Sequence, residues 1–174
     1  MASSEGQREY FALYGFMLRI PKEWRVEFNP KGTRGKGDVV FHTLKRNKVF
    51  VSWGPLEEAS RRFRTVEGQR DQSIANLSKS RGVKSVSVTE KKESLICGHR
   101  ALTTRIAVSA GGGLMFQKQP DQRSDSMCLH CPESSRYYVV YSVVISQDEY
   151  PHFSSLFDSI VQSLVCHGSE LTPG

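Results

Sequence analysis

Arg136-Tyr-Tyr-Val-Val-Tyr-Ser-Val-Val-Ile145 and, past a short polar turn, Phe153-Ser-Ser-Leu-Phe-Asp-Ser-Ile-Val-Gln-Ser-Leu-Val165 decide the fold of this chain. In the first stretch Tyr137, Val139, Tyr141, Val143 and Ile145 occupy one alternating face, and Tyr138, Val140 and Val144 the other. A strand that is β-branched or aromatic on both faces must be covered on both. That places it centrally in a sheet with a layer above and a layer below. The second stretch sets Phe153, Leu156, Phe157, Ile160, Val161, Leu164 and Val165 at the i, i+3, i+4, i+7 spacing of one helix face. Asp148 is a candidate cap, Pro151 suits a first turn and Gly168 a stop, which predicts a helix over Pro151–Val165.

Outward from this anchor, Ser126-Met-Cys-Leu-His-Cys131 reads as the preceding strand, paired with the central one across Pro132-Glu-Ser-Ser135. Ala101–Ser109 alternates as a strand; Gly111-Gly-Gly113 interrupts it, Leu114-Met-Phe116 reads as a short strand or bulge, and Gln117–Ser124 as a polar mobile segment. Val83–Val88 and Glu93–Cys97 read as strand segments that turn at Gly98. Val66, Arg70, Ile74 and Leu77 predict a helix over Thr65–Ser80 with Thr65 as cap. Gly68 in its first turn costs about 1 kcal/mol relative to alanine. Pro55–Arg64 is charged and takes no clear pattern.

Nearer the N-terminus, Leu13–Ile20 reads as a strand broken at Pro21, and Trp24–Phe28 alternates with Trp24, Val26 and Phe28 inward. Asn29–Gly37, with its glycines, Pro30 and three cations, reads as a flexible exposed loop. Asp38–Leu44 and Val49–Trp53 form a strand pair joined by the short connection Lys45-Arg-Asn-Lys48. Sequential strand runs with one helix mid-chain and one at the end predict an α+β domain. Its architecture is an antiparallel sheet of about six to eight strands with helices on its faces. A polar segment over 1–12, a single domain over 13–167 and a flexible tail over 168–174 complete the expected layout.

The length of 174 residues fits one domain with a real core. No apolar run reaches the roughly 18 residues of a membrane helix, and the N-terminus lacks the apolar core of an export signal, so an intracellular, cytoplasmic protein is expected. For that compartment Cys97, Cys128, Cys131 and Cys166 are expected as free thiols. The net charge of +6 is unevenly spread: Arg19–Arg64 holds twelve basic residues against five acidic ones, leaving the remainder slightly negative. Such asymmetry points to an anionic partner or to a solvated face.

Three stretches then carry a resemblance: Tyr14-Gly-Phe-Met-Leu-Arg-Ile-Pro-Lys-Glu-Trp24, the turn Cys97-Gly-His-Arg-Ala101, and Phe157-Asp-Ser-Ile-Val-Gln-Ser-Leu164. In element order from Tyr14 to Val165 the chain resembles the PsbP-like superfamily, the fold of PsbP and of the Ran-release factor Mog, in its small prokaryotic-type members. The resemblance implies an α/β/α sandwich with a central antiparallel sheet, a binding role and no catalysis or cofactor. It transfers no functional residue, because the Ran-binding members use an acidic surface and the candidate surface here is basic.

Catalytic motifs are missing from the sequence. Gly111-Gly-Gly113 lacks the Lys-Ser/Thr and the helix of a phosphate loop, and no nucleophile elbow or His-Glu-x-x-His helix occurs. Cys128-Leu-His-Cys131 is a candidate zinc knuckle, with Cys128, His130 and Cys131 as ligands and a further pair to come from His99 or His167. On a strand, however, Cys128 and His130 share a face and Cys131 points away. The same pair precedes a proline-containing turn, not a helix N-terminus, which disfavours redox chemistry. Trp24, Phe28, Phe41 and Trp53 interleave with cations as a nucleic-acid groove requires, yet the inward faces of Trp24 and Phe28 favour core use. The expected function is therefore a non-catalytic binding or adaptor protein for an acidic protein surface or other anionic partner, with a structural zinc protein as the alternative. Lys31, Arg34, Lys36, Lys45, Arg46 and Lys48 are the expected partner-binding residues, on two loops that point the same way.

Overall fold

The computed structural model describes residues 7–111 and 121–168. Within them run β1 (Arg8–Leu13), β2 (Phe16–Pro21), β3 (Arg25–Phe28), β4 (Gly37–His42), β5 (Lys48–Pro55), α1 (Leu56–Phe63) and α2 (Val66–Ser78). There follow β6 (Val83–Ile96), β7 (His99–Ala110), β8 (Gln122–Cys131), β9 (Arg136–Val143) and α3 (Tyr150–Gln162). The two-sided strand β9 is the fourth of seven in the order β3-β4-β5-β9-β8-β7-β6, and every neighbouring pair is antiparallel. Tyr138 and Val140 enter the large core with Phe157 and Ile160 of α3. Val139 packs instead with Val66 of α2, Leu102 and Cys128. One face of the sheet thus carries α3 and the β1–β2 hairpin, the other carries α1 and α2, and the expected α+β sandwich is the observed fold.

α2 begins as predicted, with the Thr65 hydroxyl accepting the Gly68 N–H at 3.1 Å. Gly68 earns its place there, because a Cβ would run into the Phe63 carbonyl at the end of α1. α1 itself had no legible pattern in the sequence.

Several expectations are corrected. Residues 8–12, expected as a polar segment, form most of β1, and the strand expected over Leu13–Ile20 is instead a tight turn followed by β2. Tyr14 and Gly15 take left-handed φ of 46° and 82°, the requirement of a two-residue hairpin, and buried Arg136 donates to the Tyr14 carbonyl at 2.5 Å. Phe28, expected inward, lies on an edge strand and is 55% exposed. Val83–Val88 and Glu93–Ile96 do belong to one strand that runs on to the turn at Cys97-Gly98, with a bulge between Val88 and Glu90. Gln122–Ser124, expected as mobile, belongs to β8; Leu114-Met-Phe116 lies outside the described residues.

The last helix ends at Gln162 and not at Val165. Ser163 closes it by donating its hydroxyl to the Ile160 carbonyl at 2.6 Å, while its oxygen accepts the Arg19 N–H at 2.8 Å. Val165 then leaves the helix path and exchanges two backbone hydrogen bonds with Met17 of β2, both 2.9 Å. This docking of the chain after α3 onto β2 positions Cys166 and His167.

Candidate functional site

The basic residues come first, because β4 separates them. The loop over 29–36 precedes β4 and the turn over 43–47 follows it. Six strand residues span about 20 Å, so the loops lie at opposite ends of the strand. The expectation that they point the same way is corrected: antiparallel pairing of β3, β4 and β5 puts consecutive connections at opposite ends of the strands.

The first loop is also tied down. The Trp53 indole N–H donates to the Thr33 carbonyl at 2.9 Å and the Tyr14 hydroxyl to the Gly32 carbonyl at 3.2 Å. Asn29 donates to Asp38 at 2.7 Å and accepts the Lys31 N–H at 2.9 Å. Lys36 reaches Glu58 of α1 at 2.9 Å. That hydrogen bond, with the charges of Lys36, Arg61 and Arg62, holds the Glu58 carboxyl below its usual range. Lys31 and Arg34 make no ion pair among the described residues. At the other end Lys45 is paired with Glu149 at 2.9 Å, whose second oxygen accepts from buried Asn47 at 3.2 Å. Arg46 sits at φ 66° in the turn and Lys48 opens β5. Trp24, Phe41 and Trp53 are core residues, so of the interleaved aromatics only Phe28 offers an open face.

The candidate zinc ligands divide by strand parity. Cys128 faces α2, where burial pushes its thiol up to about 12. His130, on the same face, lies 2.6 Å from Gln69 Oε1, and burial lowers its pKa. Cys131 points to the opposite face and is fully buried. The knuckle as a ligand set is corrected: only Cys131 takes part in a Cys/His cluster.

Three further segments converge on Cys131. Cys97 and Gly98 turn β6 into β7 with φ of 52° and 77°, and continuing the β7–β8 register sets His99 opposite Cys131. The docked segment after α3 brings Cys166 and His167. His167 Nδ1 lies 3.3 Å from His99 Nε2, 3.4 Å from Cys131 Sγ, 3.5 Å from Cys166 Sγ and 3.6 Å from Cys97 Sγ. The Cys97 sulfur accepts the Cys166 N–H at 3.5 Å, and Glu133 lies 3.0 Å from His99 Nε2. Burial and the neighbouring Cys131 and Cys97 thiols push the Cys166 thiol up. A cleft of about 700 Å³, lined in part by Tyr10, Arg19, Cys97 and His167, opens beside the cluster. All four cysteines are free thiols.

A second buried polar cluster had no signal in the sequence beyond one aspartate in a strand. Asp125, fully buried on the α3 face of β8, accepts the Tyr150 and Ser154 hydroxyls, each at 2.5 Å, with Arg105 Nε at 3.7 Å. Arg105 is shared with Glu90 and Asp158.

The sequence matches no protein-family model and no curated protein. Solved structures do match over nearly the whole chain. The cyanobacterial PsbP (CyanoP) of Synechocystis aligns with a TM-score of 0.55 at 14% identity, covering 96% of this chain and 98% of its own. The Ran-binding protein Mog1p of Saccharomyces cerevisiae aligns with a TM-score of 0.58 at 10% identity, covering 97% and 100%. Protein PA94 of Pseudomonas aeruginosa aligns at 0.54 and 14%, covering 94% and 100%. At such identities the likeness speaks for architecture alone. The chain has the PsbP/Mog-like fold.

Proposed function

We propose that this chain is a non-catalytic binding module that takes an acidic protein surface at the end of the sheet formed by the loop over 29–36 and α1. The observation that carries this reading is the anchored loop. Among the described residues Lys31 and Arg34 have no carboxylate partner, and they stand on a segment already fixed by Trp53, Tyr14 and Asn29, so ordering it on binding costs little entropy. Lys36, Arg61 and Arg62 act together on the carboxylate of Glu58 and extend the positive surface. Arg61 and Arg62, which the sequence reading did not select, join through the packing of α1 beside the loop. The opposite end is a weaker candidate, because Lys45 is already neutralised by Glu149. Nucleic acid is not favoured, since Trp24, Phe41 and Trp53 have no face to offer a base. Mog1p, a Ran-binding protein of the same fold, supports protein binding as one use of this fold.

Two charge-reversed variants separate the ends. Lys31→Glu with Arg34→Glu should weaken capture of partner proteins from native lysate, and added salt should mimic it, because exposed charges are screened over about 8 Å at physiological ionic strength. Lys45→Glu with Arg46→Glu should change capture less. Capture indifferent to the first pair and to salt would show that this end is only a solvated face.

A further inference from the structure

We propose that His99, Cys131, Cys166 and His167 bind a structural zinc ion. Their four donor atoms lie within 4.8 Å of one another. Zinc bonds of about 2.3 Å to sulfur and 2.0–2.1 Å to nitrogen, set tetrahedrally, require donors about 3.3 Å apart for two nitrogens and about 3.6 Å for nitrogen and sulfur. The nitrogens of His99 and His167 are 3.3 Å apart, and His167 Nδ1 is 3.4 and 3.5 Å from the Cys131 and Cys166 sulfurs. These match the three edges of that tetrahedron that meet at His167 Nδ1, and the remaining three donor pairs lie within 4.8 Å.

Hydrogen bonding among the side chains does not account for the arrangement. His167 Nδ1 carries either one proton or one lone pair, yet four polar atoms, Cys97 Sγ among them, lie within 3.6 Å of it. One hydrogen bond leaves the remaining contacts unmade in a largely buried place, at a cost buried polar groups rarely bear. A central cation satisfies all four donors at once.

Two thiolates and two imidazoles in a tetrahedron form a borderline-soft donor set that suits zinc over the oxygen-seeking cations. Binding displaces the Cys131 and Cys166 thiol protons, and any proton His99 Nε2 shares with Glu133, to solvent. Four protein ligands leave no position for water, so the site is structural. It ties the start of β7 and the end of β8 to the segment after α3, residues far apart in the chain. Cys97 is a positioning residue: its sulfur accepts the Cys166 N–H, and it holds a left-handed φ of 52° that is uncommon for a cysteine. The adjoining cleft reaches Cys97 and His167 and gives the ion a way in. None of this depends on the basic end of the sheet.

The test is metal analysis of the full chain, purified under reducing conditions and reconstituted with zinc, together with cobalt substitution read in the visible spectrum. About one zinc per chain is expected, with tetrahedral cobalt bands and thiolate-to-cobalt charge transfer. Cys131→Ala and His167→Ala should lose zinc affinity by more than about 100-fold. Cys128→Ala should keep full stoichiometry, and Cys97→Ser should keep it with a shifted cobalt spectrum. Should the variants fail to fold, the wild-type cobalt spectrum decides alone. A wild-type chain that binds no zinc, an octahedral cobalt spectrum, or zinc retained in both Cys131→Ala and His167→Ala would overturn the assignment.

Discussion

Asp125 and Cys131 stand on the same face of β8, six residues apart, both buried and both polar, yet their surroundings differ in kind. The Asp125 carboxylate is answered by the protein: Tyr150 and Ser154 each donate to it, Arg105 supplies positive charge, and the Ser142 hydroxyl takes its backbone N–H at 3.0 Å. At Cys131 the partners are other metal-type donors crowding a single nitrogen. Both clusters are cut from the same sheet face. In one, both carboxylate oxygens are met by hydroxyls of the chain itself, and the other, as proposed, is completed by a cation from outside. Burial of polar groups is thus no guide to function until the donors and acceptors are matched one by one.

The contrast breaks most visibly by truncation. Asp125→Ala should lose about 3–5 kcal/mol in chemical denaturation, since it leaves the Tyr150 and Ser154 hydroxyls without their acceptor and removes one of three carboxylates around Arg105. Phe157→Ala, a packing control on the helix facing both clusters, should lose a similar about 3–5 kcal/mol. An unchanged midpoint for Asp125→Ala would mean that the carboxylate is not the centre of its network. Next in size is the response to chelation. With free zinc about a hundredfold above its dissociation constant, the wild type should gain about 2.7 kcal/mol over the chelated protein. Asp125→Ala should retain that gain, and Cys131→Ala should not.

The pH response is smaller and distinguishes the clusters differently. Burial raises the Asp125 carboxyl above its usual range, outweighing the lowering pull of Ser154, Tyr150 and Arg105. A carboxyl whose folded value is raised contributes stability that is complete below the unfolded value and is lost as pH rises through the folded one. The stability of wild type relative to Asp125→Asn should therefore fall as pH climbs above about 3.9. A difference that rises over that range would show the carboxyl to be held low by its donors. Smallest of all, Lys31→Glu with Arg34→Glu should shift folding stability within about 0.5 kcal/mol, as surface changes do, and act on capture alone.

The sequence was legible where its signal was local. Alternation along Tyr137–Val144 placed β9 at the centre of the sheet, and the 3.6 spacing of Phe153, Phe157, Ile160 and Val161 found the buried face of α3. It failed at Tyr14-Gly15, where an apolar run hid a turn, and at Ser163, where a contact with Arg19 ended a helix that periodicity would continue. The basic residues were visible by composition, but their division between two ends of β4 needed the pairing of β3, β4 and β5.

By itself the sequence determined that Cys128 and His130 share one face of a strand and that Cys131 takes the other, because side chains alternate with a period of two whatever the partner strand. Which residues meet Cys131 was decided only in three dimensions. His99 arrives through the β7–β8 register, and Cys166 and His167 through the backbone bridge between Val165 and Met17. Those pairings join segments distant in sequence through backbone hydrogen bonds, which every residue except proline makes alike, so no local pattern of side chains carries them.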